Sequence, residues 1–451
     1  MTETAQQENS SGVIDQLFSA LKQEDMADAR ILLGSMHPSE IADVMESLPV
    51  KERETVWNLI GPDLEGDVLS ELQMAVRTEL LEQMQPHEVV QATKGLEPDD
   101  IADIIQELPE ETKDTVLLAM DEQNRQRLAS VLSFPEDTAG GLMNLDVVSV
   151  RADVSLDVVV RYLRQLGKIP EKTDNLMVVD RGNNYLGVLS LSDILVKSPD
   201  ATVGEFMTEH QAIPAMTHEN EVARLFEQRD LLSAAVVNED NQLLGRITID
   251  DVVDVIQESA ESTVRSMAGL GQDDMFAPVI ISAKRRAIWL GINLMTAFLA
   301  AWVIGQFEET IQQLVALAVL MPIVAGMGGI AGSQTLTIAI RGLALGQIGR
   351  SNARALLIKE ISVGLLNGLV WSLVVALIVV LWFKQWSLGI IIGLAMIINL
   401  LVAAMAGAVI PLLLKRLGVD PAIAGGVLLT TVTDVVGFLT FLGLATLFLL
   451  A

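Results

Sequence analysis

Five long apolar stretches in the C-terminal part of the chain constrain its fold more than any other feature of the sequence. They run over about residues 287–307, 312–340, 355–383, 387–414 and 421–450. A helix needs roughly 20 apolar residues to cross the hydrocarbon core of a bilayer, and each stretch is long enough. The sequence therefore predicts a five-span α-helical membrane domain over residues 278–451.

The rest of the chain is strongly acidic. Residues 278–451 hold 10 Lys and Arg and 5 Asp and Glu out of totals of 30 and 58, which leaves 20 basic and 53 acidic residues in 1–277. Such an excess attracts cations and repels polyanions, so we expect no nucleic-acid partner. A merely solubilising surface is the alternative explanation. The lack of cysteine excludes disulfides and thiolate metal sites.

Basic residues mark the cytosolic ends of membrane spans. Lys284, Arg285 and Arg286 precede the first span, and Lys415 and Arg416 follow the fourth. The polar start MTETAQQENSSG has no signal-peptide pattern. We therefore expect an integral protein of the bacterial inner (plasma) membrane, in contact with lipid, with a cytosolic N-terminal half and an external C-terminus.

Asp434 is the one charged residue deep within a predicted span, and Thr430, Thr431 and Thr433 stand beside it. An ionised group at that depth is costly without water or a partner, so Asp434 is a candidate to line a hydrated cation path. A protonated carboxyl group bonded between helices is the alternative. The second span is rich in glycine, which is typical of close helix packing as well as of a pore wall.

The acidic half contains two internal repeats. HPSEIADVMESLP at residue 37 is repeated as EPDDIADIIQELP at residue 97, with helical spacing of apolar residues. We expect an N-terminal acidic helical repeat domain over 1–133, an all-α superhelix.

The second repeat is α/β. DNLMVVDRGNNYLGVLSLSDIL and LLSAAVVNEDNQLLGRITIDDVV each predict two strands and the start of a helix. The two copies resemble a tandem pair of CBS domains over 137–257. That family's nucleotide pattern is matched by Ser190 with Asp193 and by Thr248 with Asp251. These residues could bind the ribose of ATP or another adenine nucleotide, or simply cap helices; both alternatives remain open.

A polar helical segment, 250–277, connects this pair to the membrane domain. Asp250, Asp251, Asp254 and Glu258 recur at spacings that bring several carboxylates to one helix face. Like charges repel, and a divalent cation would hold them together. The segment is therefore a candidate regulatory metal site.

The whole chain resembles the MgtE family of magnesium transporters and channels. The resemblance rests on LSFPEDTAGGLMN, GMGGIAGSQTLTIAIRGLA and LGVDPAIAGGVLLTTVTDVVGF, which occur in the family's order. It implies a homodimer that imports Mg2+ down its electrochemical gradient, with Asp434 of each copy facing the ion. It also implies that cytosolic Mg2+, bound by residues such as Asp251, Asp254 and Asp420, closes the pore by moving the connecting helix, which acts as a plug.

The sequence departs from the family pattern at several positions. Ile330 stands where the family usually has Asn, and Gly426 and Val427 replace a polar residue and Pro. The connecting segment has Gln257, Ser259 and Ser262 where acidic residues are expected. The first group of departures bears on ion selectivity or conduction, and the second favours a weaker closing response to Mg2+.

Three other functions compete with a magnesium channel. They are a channel or exchanger for another divalent cation such as Mn2+ or Co2+, a non-conducting Mg2+ or nucleotide sensor, and an intramembrane metalloprotease. A protease of that kind needs a His-Glu-x-x-His set within a span. No histidine follows His218, so we expect the protein not to be an enzyme.

Overall fold

A computed structural model describes residues 16–23, 25–270, 277, 279–349 and 351–449. The polar start of the chain and residues 271–276 of the predicted connecting segment lie outside the described residues. The chain forms two compact units, Met1–Glu261 with Gln272–Pro278 and Ser262–Gly271 with Val279–Ala451. We call them the soluble unit and the membrane unit. The boundary falls within one helix, Ile249–Met267.

The first part of the soluble unit is made of short helices around one apolar core. Prolines occupy the first positions of several helices, where the missing N–H is not needed and the fixed φ suits the turn. The core is lined by residues such as Ile41, Met45 and Ile105. The helices are Met26–Leu33, Pro38–Glu46, Val50–Trp57, Glu65–Glu71, Met74–Gln83, Pro86–Ala92, Pro98–Gln106, Glu110–Ala119 and Glu122–Val131.

The second part of the soluble unit contains two small sheets of the same design. Strands β1 (Ser149–Arg151), β2 (Asn175–Val179) and β3 (Tyr185–Ser190) form the first sheet, and β4 (Ile213–Pro214), β5 (Ser233–Val237) and β6 (Leu243–Thr248) form the second. In each sheet a parallel pair is followed by an antiparallel pair. The accompanying helices are Leu156–Leu166, Leu191–Val196, Val203–Phe206, Glu219–Arg229 and the first turns of Ile249–Met267.

Within its described residues, the membrane unit has five helices that are long and apolar enough to span a bilayer. In order, they are Val279–Gly305, Ala316–Ala344, Ala353–Phe383, Trp386–Arg416 and Pro421–Leu449, with a short helix Glu308–Gln313 after the first. The first begins eight residues before the predicted position 287 and includes Lys284, Arg285 and Arg286. Lysine and arginine are good helix formers, so polarity ends the apolar stretch without ending the helix.

Close packing in the membrane unit depends on glycine. The fourth membrane helix packs against the second, third and fifth, and the first packs against the fifth. A Cβ atom at Gly407 would lie 2.6 Å from the carbonyl oxygen of Gly332, so only glycine allows this approach of the second and fourth helices.

The described helical domain, the two sheets of the same design and the five long apolar helices together confirm the predicted fold class of a helical domain, a CBS pair and five membrane spans.

Candidate functional site

Asp434 lies near the middle of the fifth membrane helix, at the edge of its buried face. Its neighbours Thr433 and Gly437 are buried, whereas Asp434 is half-buried. Among the described residues, none forms a hydrogen bond or an ion pair with its carboxylate. A carboxylate without a partner is stable within a bilayer only where water or a cation reaches it. Asp434 is therefore a candidate cation contact.

The threonines near Asp434 donate their hydroxyl hydrogens to their own helix. Thr430 Oγ1 donates to the Gly426 carbonyl at 3.0 Å, and Thr431 Oγ1 donates to the Val427 carbonyl at 2.7 Å. Their oxygen lone pairs can still accept hydrogen bonds from water. Thr433 is completely buried, so within one copy it does not face an aqueous path.

The second membrane helix has two unlike faces. One face lines an open cavity of about 720 Å³ with Gly329, Ile330, Ser333, Gln334, Thr337 and Ile338. The opposite face, with Gly328, Gly332 and Thr335, is buried. Gln334, a polar residue of this span, thus faces the cavity, but Asp434 is not among its lining residues.

Glu360 is the second acidic residue within the membrane helices, and it has partners. Its carboxylate accepts a hydrogen bond from Thr335 Oγ1 at 3.0 Å and pairs with Lys359 Nζ at 2.6 Å. Glu360 is only 3% exposed, so it is a packed structural group. The contrast with Glu360 singles out Asp434 as the acidic group with free oxygen atoms.

In the soluble unit, Asp250 and Asp251 begin the connecting helix Ile249–Met267. Thr248 Oγ1 donates to Asp251 Oδ2 at 3.0 Å or to Asp250 Oδ1 at 2.5 Å. Asp250 also pairs with Lys172. Burial alone would raise the pKa of Asp250, but the hydrogen bonds from Lys172 and Thr248 lower it. Lys172 also interacts with Asp251 through its charge, yet burial followed by repulsion from Asp250 raises the pKa of Asp251 to about 7.

A second group of carboxylates comes from helix Pro98–Gln106. Asp99 is 7% exposed, and none of the described residues forms a hydrogen bond with either of its carboxyl oxygens. Burial and the nearby Asp251 raise its pKa well above the ordinary value. Burial also raises the pKa of Asp100 to about 6 and that of Asp103 to about 7, with Glu97 adding to the first shift. We call Asp99, Asp100, Asp103, Asp250 and Asp251 the acidic cluster.

The other predicted regulatory residues are dispersed. Burial raises the pKa of Asp254, and Glu71 adds to this shift. Glu258 raises the pKa of Asp254, Glu136 and Glu219 through its charge. Asp420 lies in the membrane unit, where its Oδ1 accepts a hydrogen bond from the Ala422 N–H at 2.8 Å and caps the fifth membrane helix. Within the described residues, no three of these carboxylates already converge into a metal site.

Sequence reasoning missed the contribution of Asp99, Asp100 and Asp103 to this region. The signal was present in the helical repeat, because Asp99 and Asp100 in the second copy stand at the positions of Ser39 and Glu40 in the first. An extra carboxylate on an otherwise apolar face is the pattern that would have identified Asp99.

The residues of the predicted nucleotide pattern act as helix caps. Ser190 Oγ accepts a hydrogen bond from the Ser192 N–H at 3.3 Å, and Asp193 pairs with Lys197 at 3.8 Å. Thr248 and Asp251 bond to each other across the start of the connecting helix. These groups cap helices within the chain, and the binding of a nucleotide by them stays a prediction.

A cavity of about 420 Å³ does occur beside the first sheet. It is lined in part by Arg151, Tyr162 and Asp180, where β1 and β2 end. Ser190 pairs with Asn175 at the beginning of β2, which is the opposite end of the sheet. The cavity and the predicted nucleotide residues are therefore separate.

Comparisons with known proteins match the chain in three consecutive regions. The MgtE intracellular N domain model matches residues 36–137, the CBS domain model matches 139–200 and 203–258, and the MgtE model, described as a divalent cation transporter, matches 321–444. The crystal structure of the cytosolic domain of the Mg2+ channel MgtE in complex with ATP is 30% identical, with a TM-score of 0.49, over 54% of this chain and 99% of that one.

Two curated relatives match almost the full length. The magnesium transporter MgtE of Bacillus subtilis is 29% identical over 97% of this chain and 97% of the relative. The magnesium transporter MgtE of Thermus thermophilus is 31% identical over 96% of this chain and 98% of the relative. The order of the domains, the five membrane helices and these matches agree, and the chain belongs to the MgtE family.

Proposed function

We propose that this protein is a Mg2+-selective channel that imports Mg2+ down its electrochemical gradient. The observation that carries the proposal is the carboxylate of Asp434, which is half-buried midway along a membrane helix and has no partner among the described residues. The Bacillus and Thermus relatives are named magnesium transporters, which supports Mg2+ as the transported ion. The same relatives belong to a non-enzyme class, which supports the absence of catalysis.

Mg2+ holds its water molecules tightly, so a channel can recognise the hydrated ion through carboxylates, hydroxyls and carbonyls without removing the water. Asp434 supplies the charge, and Thr430 and Thr431 supply acceptor oxygens in the preceding turn. We propose a homodimer, with one Asp434 from each copy facing the ion. The open cavity along the second membrane helix supports this, because a single chain leaves its polar face uncovered.

We further propose that Mg2+ bound in the soluble unit closes the channel. Asp99 and Asp251 fit a cation chemically, because one is a buried carboxylate without a partner and the other is raised in pKa by its neighbours. These two residues would hold the ion, with Asp100, Asp250 and Asp254 adding negative charge. The ion would neutralise the cluster and stabilise the start of the connecting helix, which we expect to act as the plug over 250–277.

The proposed topology places the acidic soluble unit in the cytosol of a bacterial cell and the C-terminus outside. The basic residues at the beginning of the first membrane helix and at the end of the fourth support this orientation. The domain limits 1–133, 137–257, 250–277 and 278–451 remain part of the proposal. ATP binding at Ser190, Asp193, Thr248 and Asp251 stays a prediction, and no step of gating is assigned to it.

Ion flux into proteoliposomes tests the transport function. We expect Mg2+ uptake by the native protein without a proton or Na+ gradient, and Asp434→Ala should reduce it at least about tenfold, since a lost charged contact is worth on the order of 1.5–3 kcal/mol. Asp200→Ala, an exposed carboxylate of the soluble unit, serves as the control. Undiminished uptake by Asp434→Ala would exclude Asp434 from the ion path.

The same assay separates the alternative functions. Preferential uptake of Mn2+ or Co2+ would indicate another divalent-ion channel, and uptake only against an opposing ion gradient would indicate an exchanger. Mg2+ binding without any uptake would indicate a sensor.

A further inference from the structure

Asn399 on the fourth membrane helix is a polar side chain at the centre of the apolar membrane unit. It is 0% exposed, and its Nδ2 donates a hydrogen bond to the Val324 carbonyl of the second membrane helix at 2.8 Å. Its Oδ1 is buried and has no hydrogen-bond partner in the part of the chain that the structure describes. A buried amide with one unsatisfied end is destabilising by about 1–3 kcal/mol, so packing alone gives no reason for its presence.

Two glycines on different helices make room for this amide. A Cβ atom at Gly437 of the fifth membrane helix would lie 2.9 Å from Asn399 Nδ2, and a Cβ atom at Gly328 of the second would overlap the same nitrogen. The Asn399 amide therefore lies between the backbones of the second and fifth helices. These are the two helices that carry the candidate ion-path residues.

The position of Asn399 relates directly to those residues. Gly437 follows Asp434 by three residues, so the two are neighbours on one side of the fifth helix. Gly328 belongs to the buried face of the second helix, opposite the face that carries Ser333, Gln334 and Thr337. The thickness of the amide thus sets the separation of the second and fifth helices one turn from Asp434.

We infer that Asn399 is a positioning residue for ion selectivity. By fixing the spacing of the second and fifth membrane helices at Gly328 and Gly437, its amide sets the width of the path beside Asp434. That width decides between ions that keep their water shell, such as Mg2+, and ions that give up water more readily, such as Mn2+ and Co2+. The inference rests on the proposed channel function.

The test is the ratio of Mg2+ uptake to Mn2+ uptake in proteoliposomes, which does not depend on how much protein is inserted. Asn399→Leu keeps a similar volume and removes the bond to Val324. We expect the ratio to fall about fivefold, the effect of losing one hydrogen bond. Asn367→Leu, at an exposed position of the third membrane helix, is the matched control and should keep the native ratio.

Gly437→Ala provides a second measurement that does not alter Asn399. The added methyl group pushes against the amide from the fifth helix, so the ratio should change in the same assay. If Asn399→Leu fails to fold, the uptake ratio of Gly437→Ala tests the role of Asn399 by itself. An unchanged ratio in whichever variants fold would overturn the inference, whereas failure of the native protein to take up Mg2+ would overturn the proposed function instead.

Discussion

The two units of the molecule differ in the number and the surroundings of their buried carboxylates. The soluble unit concentrates them, and neighbouring carboxylates raise the pKa values of Asp99, Asp103 and Asp251 on top of the effect of burial. The membrane unit has only two within its five long helices, one paired and one without a partner among the described residues. Protons and cations should therefore affect the stability of the soluble unit, whereas the membrane unit is sensitive to changes in close helix packing.

The largest expected effect tests close packing. Gly407→Leu should prevent the membrane unit from folding, because even a single carbon at this position meets the backbone of Gly332. Gly326→Leu is the matched control, since the space at Gly326 is open. Yield of detergent-extracted protein in a monodisperse peak measures the difference. Equal yields would mean that the glycine contact is dispensable.

The pH dependence of the soluble unit is the next largest effect. The folded-state pKa values of Asp100, about 6, and of Asp103 and Asp251, about 7, lie above the ordinary value of 3.8. The folded state therefore binds protons that the unfolded state releases. The stabilisation is complete below about pH 4 and is lost as the pH rises through 6 and 7.

We expect the free energy of unfolding of the soluble unit to fall by on the order of 3 kcal/mol between pH 5 and pH 8 without divalent ions. Mg2+ should restore most of this loss at pH 8 and little at pH 5, where protons already neutralise the cluster. Thermal unfolding at matched ionic strength measures both effects. The same stability at both pH values would contradict the coupling among these carboxylates.

A smaller effect is expected from Asp99→Asn. Removing this buried charge should stabilise the soluble unit at pH 8 by about 1–3 kcal/mol and should weaken its protection by Mg2+. Asp200→Asn, an exposed position, should change neither property. Protease cleavage rates with EDTA and with Mg2+ give the comparison. Full Mg2+ protection of Asp99→Asn would remove Asp99 from the proposed site.

The smallest effect concerns the predicted nucleotide residues. Ser190→Ala removes a helix cap and should destabilise the soluble unit by about 1 kcal/mol, with or without ATP. Thermal unfolding with added ATP is the measurement. A native stabilisation by ATP that disappears in Ser190→Ala would instead favour the nucleotide interpretation.

The order of the domains could be predicted from the sequence because their patterns are local. The two CBS copies carry the same strand, turn and strand pattern, and Val178 with Gly187 and Val236 with Gly245 pair in the same register. The five spans follow from length and hydropathy alone. The largest difference is the start of the first membrane helix, at Val279 instead of 287, because basic residues interrupt the apolar stretch without ending the helix.

The site was predicted less completely. Asp434 was identifiable from its isolation in an apolar span, which is a property of the sequence. The acidic cluster was not, because Asp99 and Asp251 are 152 residues apart and become neighbours only when the helical domain packs on the CBS pair. In the sequence Asn399 is only a polar residue within an apolar span, because its contact with Gly328 and Gly437 depends on three helices.

Carboxylates with pKa values near 6 and 7 give the acidic cluster two competing ligands. A proton neutralises Asp100, Asp103 or Asp251 as a metal ion does. Acidification of the surrounding solution would therefore have the same effect on the cluster as a higher Mg2+ concentration. Under the proposed gating, a cell under acid stress would halt its magnesium uptake while its magnesium is still low. The charge of the cluster would thus depend on both the pH and the Mg2+ concentration, and the Mg2+ concentration needed for closure would change with pH.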